Sequence, residues 1–172
     1  MPVMATWTCP DCGRTFGAVG RNHICAPGRS VEAFLADSPD FVRPVFEAVH
    51  DHLVAVDREV GGDLIVDPIS SKVLFKHGPT FCVVEPRKQW VTVGFTLRRR
   101  LDGRRMSRAI QEYGDKYHHV VNVVDAATID DEFREWLTEA YHHGVAVGDV
   151  ARPSRGDPMV PDDVDVEIAP PP

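Results

Sequence analysis

At 172 residues, 43% hydrophobic and 26% charged, the chain has the make-up of a globular protein with one ordinary domain and a small appendage. No apolar run reaches the roughly 18 residues of a membrane span, and residues 1–7 lack the basic-then-apolar order of an export signal, so a cytoplasmic protein with no membrane partner is expected. The net charge of −7 excludes an argument for nucleic acid from overall charge, but eleven Lys and Arg stand against four Asp and Glu between residues 70 and 116, leaving +7 there and −14 elsewhere.

The chain opens on its cysteines. Three of the four fall within residues 9–25, which suits a bound metal in a reducing compartment better than a disulfide framework. Cys9-Pro10-Asp11-Cys12 has the spacing that lets two thiolates grip one ion from a tight turn, and Gly13 tolerates the positive φ such a turn needs. Ten residues lie between Cys12 and His23, and one between His23 and Cys25. In an extended segment side chains two apart share a side, so His23 and Cys25 can complete the tetrahedron. A groove-reading finger needs about twelve residues and then two ligands about three to five apart on a helix, which this unit lacks. A zinc ribbon or knuckle is therefore expected over residues 6–28, with Cys9, Cys12, His23 and Cys25 as ligands. Three thiolates and a histidine leave no open position, so the zinc is expected to be structural. Coordination contributes on the order of 10 kcal/mol to such units. Trp7, Phe16, Val19 and Ile24 are too few to hold it alone.

Residues 30–146 read as an α+β domain. Ser30 is placed to cap a short helix carrying Val31, Phe34 and Leu35. Asp40 is expected to cap a longer one, whose Val42, Phe46, Val49, Leu53, Val56 and Val60 recur at three- and four-residue steps. Pro44 fits its first turn and Gly61-Gly62 its end. The period then shortens. Segments 64–66, 72–76, 80–85 and 90–97 are rich in β-branched and aromatic residues and separated by Pro and Gly turns. Their short connections favour an antiparallel sheet. A helical turn is expected over 107–111 and a further strand over 117–124, giving about five strands packed by helices. Thr128 to Asp131 approximates a capping box for a last helix with Ile129, Phe133, Trp136, Leu137 and Ala140 in one stripe. Residues 149–172, acidic and Pro-rich without periodicity, read as a disordered tail.

Cys9-x-x-Cys12-Gly13-Arg14-x-Phe16, His23-x-Cys25 and Val31-x-x-Phe34-Leu35, followed by Phe75-Lys76, Phe81, Glu85-Pro86-Arg87-Lys88 and the closing 131–141 helix, resemble an uncharacterised bacterial domain family. The resemblance spans residues 6–142. It implies a metal unit joined to a small α+β domain, distantly similar to domains described as frataxin-like iron chaperones. The family is of unknown function, so the resemblance adds nothing about activity.

The residues themselves supply the functional leads. Lys72, Lys76, Arg87, Lys88, Arg98, Arg99, Arg100, Arg104, Arg105 and Arg108 can form a phosphate-binding surface if strands bring them together, with Trp90 as a stacking platform. That makes nucleic acid, or another phosphate-rich ligand, the first expected partner. A protein-interaction adaptor using the ribbon is the first alternative, and an enzyme on the α+β domain the second. His118 and His119 should point to opposite faces of a strand, so a second metal site needs separate elements, such as His119 with His142 and a carboxylate. Glycine-rich phosphate loops, GxSxG and HExxH are absent from the sequence. Glu85 and His77 are acid–base candidates, and Cys82, amid Phe81, Val83 and Val84, should be an inert buried thiol.

Overall fold

The structure, a computed structural model, describes residues 6–16, 19–20, 23, 25 and 28–146; the tail expected over 149–172 lies outside them. A two-stranded hairpin, β1 (Trp7–Thr8) and β2 (Thr15–Phe16), carries the first cysteines. The rest is one six-stranded antiparallel sheet packed by helices. Helices α1 (Val31–Ala36) and α2 (Val42–Val60) precede β3 (Ile65–Pro68), β4 (Val73–Lys76), β5 (Thr80–Pro86), β6 (Val91–Leu97), β7 (Gln111–Tyr113) and β8 (Lys116–Val123), and α3 (Asp131–Ala146) follows. The strands lie in the order β3-β4-β5-β6-β8-β7.

Alternation within the strands sorts the two faces. Val73 and Phe75 of β4, Cys82 and Val84 of β5, Val91, Val93, Phe95 and Leu97 of β6, and Val121 and Val123 of β8 are buried toward the helices. Against them α2 lays Val42, Val45, Phe46, Val49, Leu53 and Val56, and α3 lays Phe133, Trp136, Leu137, Ala140 and Tyr141. Phe46 meets Phe75, and Phe95, Phe133 and Trp136 pack as a mutual cluster. The opposite, outer face carries Asp67, Leu74 and Lys76 at one side and Thr92, Gly94, Thr96, His118 and Asn122 further across.

Local chemistry explains most boundaries. Ser30 Oγ accepts from Ala33 N at 3.1 Å, as expected of a cap. Asp40 does not cap α2: the chain enters through a turn in which Val42 N donates to the Pro39 carbonyl, leaving Phe41 at the cap position without a side-chain bond. Thr128 closes a short 3₁₀ turn, and Asp130 caps α3 instead, its Oδ1 accepting from Phe133 N at 3.0 Å. No helical turn forms over 107–111. Ser107 N donates to the Val120 carbonyl and Asn122 N to Ser107 Oγ, so β8 draws the segment alongside itself, and it continues as β7. Gly114, at φ 63°, lets the chain double back from β7 into β8.

Gly61 ends α2 in the left-handed region, and Gly62 N donates to the Asp57 carbonyl. Beyond them Asp57 Oδ1 accepts from Leu64 N and from the Tyr141 hydroxyl at 2.7 Å, tying the end of α2 to α3. A Cβ on Gly62 would stand 2.0 Å from that hydroxyl, whereas one on Gly61 meets nothing within 4 Å. Gly62→Ala is therefore expected to cost about 2–3 kcal/mol through overpacking, and Gly61→Ala about 1 kcal/mol through its φ. Urea unfolding of both variants checks the ranking, and the reverse order would refute the packing argument.

Candidate metal centre

The knuckle forms because Gly13, at φ 69°, turns the chain back after the second cysteine. Gly13 N donates to the Cys9 carbonyl and Cys9 N to the Arg14 carbonyl, both at 2.9 Å, which brings Cys9 and Cys12 to one side of the hairpin. His23 packs on Phe16 with centroids 4.2 Å apart and planes tilted by 36°, and its Nε2 lies 3.5 Å from Cys12 Sγ. One ligand atom from each of Cys9, Cys12, His23 and Cys25 lies within 4.8 Å of all the others. The two separations that test the fit are Cys9 Sγ to Cys25 Sγ at 3.7 Å and Cys12 Sγ to His23 Nε2 at 3.5 Å. Zinc bonds of about 2.3 Å to sulfur and about 2.0 Å to nitrogen, at tetrahedral angles, give edges of about 3.8 and about 3.5 Å. The donors fit that ion.

The charges of the sulfurs make the same point. Backbone N–H groups of the knuckle, chiefly that of Cys12, draw the Cys9 thiol down to about 7. Desolvation and the sulfurs of Cys9 and Cys12 push Cys25 up to about 12. Three sulfurs this close hold thiolate charge together only around a cation.

A second cluster fastens the knuckle to the sheet. Arg14 donates to Asp67 through Nε at 3.0 Å and Nη2 at 2.7 Å, and Lys76 Nζ pairs with the same carboxylate from the neighbouring strand. All three side chains are about 6–7% exposed. Lys76 Nζ also lies 4.3 Å from the Phe16 ring centroid. Burial alone would raise the Asp67 carboxyl, but the bonds and charges of Arg14 and Lys76 outweigh it and hold the group below its ordinary value. This clamp was not read from the sequence. Its members are 53 and nine residues apart, and the only local trace is a charged residue alternating with apolar ones in two short strands.

The basic residues divide. Lys76 belongs to the clamp, and Lys72 closes the β3–β4 turn through its carbonyl. Arg87, Lys88 and Trp90 form the β5–β6 turn, where Arg87 pairs with Glu85 at 3.2 Å and Trp90 is half-buried. Arg98 follows the other end of β6, about 20 Å away along a seven-residue strand. The expected meeting of that turn with residues 98–100 therefore does not occur. In the loop after β6, Arg99 is bound to Glu139, and Arg105 to Asp130 and Glu132 with its guanidinium over Trp136. Arg98 pairs with Asp115 at 3.4 Å and Arg104 with Asp102 at 2.8 Å. Arg100 and Arg108 are exposed.

His118 and His119 do point to opposite faces. His119 is buried against Phe95, and its Nε2 accepts from Leu101 N at 3.2 Å. That bond and the apolar packing rule out the site suggested for His119 with the exposed His142; among the described residues the Cys3His group is the one cluster with metal-binding geometry. His118 lies over Gly94, where a Cβ would come within 3.1 Å of its ring. His77 stacks on Tyr141 in the β4–β5 turn, Glu85 is held by Arg87, and Cys82 is wholly buried with its thiol pushed far up by desolvation.

Two outcomes follow from these environments. Asp67→Asn removes the carboxylate shared by two buried cations and is expected to cost about 3–5 kcal/mol in denaturant unfolding; a loss under 1 kcal/mol would demote the clamp. Burial, then the charges of His119 and Arg108, press His118 down to about 4, below the unfolded value near 6.5. The unfolded chain thus binds that proton first, so stability is full above about pH 6.5 and falls as pH drops toward 4. His118→Gln should flatten this part of the stability–pH curve, and an unchanged slope would contradict the assignment.

Among the described residues no helix is long and apolar enough to cross a membrane. No curated protein and no solved structure matches the chain. The model of one family, described as a domain of unknown function, matches residues 31–144, from the start of α1 into α3. The metal unit lies N-terminal to that match, and the α+β part places the chain in the family: it belongs to DUF5655.

Proposed function

We propose that the protein is a non-catalytic, zinc-containing binding module that engages a phosphate-rich polyanion, nucleic acid first, through the loop over residues 98–108. The state of that loop's arginines carries the reading. Six arginines stand there against Asp102 alone. Arg99 and Arg105 are pinned to α3 and fix the course of the loop. Arg100 and Arg108 are exposed and have no carboxylate partner among the described residues, while Arg98 and Arg104 hold only the exposed Asp115 and Asp102. Exposed ion pairs are worth about 0–1 kcal/mol, so phosphates can displace these carboxylates. Zinc, the metal that suits this donor set and these separations, would stabilise the knuckle and leave no coordination position for substrate.

Anisotropy titrations of a labelled DNA duplex and an RNA strand across salt test the reading. Affinity should fall with salt, and Arg98→Ala, Arg100→Ala and Arg108→Ala should each weaken binding to all sequences alike and reduce the salt slope by about 1. Binding that ignores salt, or survives the triple replacement, would refute it. A second reading, contact with a protein partner through the ribbon, is favoured by Val19, 75% exposed between two metal ligands. Its sign would be a partner captured by the zinc-loaded protein and lost with Val19→Glu while nucleic-acid affinity is unchanged.

A further inference from the structure

We infer that Cys9 and Cys25 form a thiol switch, in which a hydroperoxide joins the two sulfurs, ejects the zinc and frees the knuckle from the sheet. The inference rests on the zinc half of the reading above and is independent of the polyanion half.

The four ligands are not equivalent. Cys9 Sγ and Cys25 Sγ stand 3.7 Å apart, and Cys12 Sγ, which also adjoins both sulfurs, is 3.5 Å from His23 Nε2. A disulfide is about 2.05 Å long, so the first pair needs to close by less than about 2 Å. Cys25 is exposed and Cys9 is 3% exposed. A peroxide from solvent therefore reaches Cys25 first, and Cys9 waits behind it as the resolving sulfur. Cys82 takes no part, because it lies wholly buried in the core of the α+β domain.

The chemistry balances without another reactant. Cys25, a thiolate only while the cation is bound, attacks the distal peroxide oxygen. The O–O bond breaks, the alkoxide or hydroxide leaves with a proton, and Cys25 becomes a sulfenic acid. The Cys9 thiolate then attacks that sulfur, the S–O bond breaks, and the oxygen departs with a second proton as water. Two sulfurs have lost one electron each and the peroxide has gained both. Zinc, left with Cys12 and His23, is released as the hydrated dication.

The sheet registers the loss through Arg14 and Phe16, which sit inside the ligand loop between Cys12 and His23. The filled centre carries a formal −1, and the Arg14, Asp67 and Lys76 clamp a formal +1, so the two compensate at close range. Oxidation removes that negative charge together with the turn that aims Arg14 at Asp67. The knuckle then leaves the clamp, and β3, an edge strand, loses its cover.

The test uses the full zinc-loaded chain and graded hydrogen peroxide, reading zinc release with a metal-sensitive dye, disulfides by peptide mass mapping, and hydrogen exchange in Ile65–Pro68 and Val73–Lys76. The expected result is release of about one zinc per chain, a Cys9–Cys25 disulfide, and exchange in β3 and β4 faster by about tenfold or more. Reductant with added zinc should reverse all three. Asp67→Asn should keep its zinc and its peroxide reaction but show fast exchange in β3 before any oxidant is added. Retained zinc, a dominant Cys9–Cys12 disulfide, or sheet exchange indifferent to peroxide would overturn the switch. Protein that carries no zinc before oxidation would instead overturn the metal reading beneath it.

Discussion

Asp67 is the point on which the two parts of the molecule meet. One carboxylate, on the outer face of the terminal strand, accepts from Arg14 of the knuckle and pairs with Lys76 of the neighbouring strand. All three are buried, so removing one leaves the charges of the others poorly compensated. The cysteine knuckle stands behind this arrangement. Its turn, closed by Gly13 and by the bonds of Cys9 to Gly13 and Arg14, aims the guanidinium at the carboxylate. Stability thus passes from turn to guanidinium, and from guanidinium to β3.

That path also explains why a metal unit is joined to a domain that already has its own core. The α+β part buries more than two dozen apolar side chains between its helices and one face of the sheet. What the helices leave uncovered is the outer face and the β3 edge. The family match begins at residue 31, so the domain it defines does not include the cover. Here the knuckle lays Phe16 against Lys76, and Arg29 N donates to the Pro68 carbonyl on the free edge. The other edge, β7, is three residues long and exposed throughout, which limits pairing by its shortness.

The strongly periodic elements were legible. The apolar steps of α2 up to Val56, the alternation of β6 and the stripe of α3 bury the side chains their spacing marks, because a 19-residue helix or a seven-residue strand averages over many positions, whereas Val60, marked with them, stands exposed in the last turn of α2. The ligand set was equally readable, since its four members lie within 17 residues of one another. Caps were less so. Asp40 and Thr128 are suitable residue types, but a cap requires a backbone geometry that the turn at Pro39 and the 3₁₀ turn at Ala126–Thr128 pre-empt. The clamp was not legible at all, because no local pattern links residue 14 to residue 67. The basic cluster failed as a single surface for a related reason: residues close in sequence across a hairpin are sent to opposite ends of its strands.

Strand order separates the two surfaces that remain. The knuckle sits at β3, while residues 98–108 leave β6 and run alongside β8 at the far side of the sheet. Four strand spacings, about 19 Å, lie between β3 and β8. No side chain spans that distance, and the clamp and the loop share no partner, since Arg14 and Lys76 are held by Asp67 whereas Arg99 and Arg105 are held by α3. Changes at the two places should therefore add in their effects on stability. A ligand on the loop can sense the metal only if the whole sheet shifts. Coupling between the two would mark the sheet itself as the moving element, and its absence would leave the knuckle and the arginine loop as separate devices on one scaffold.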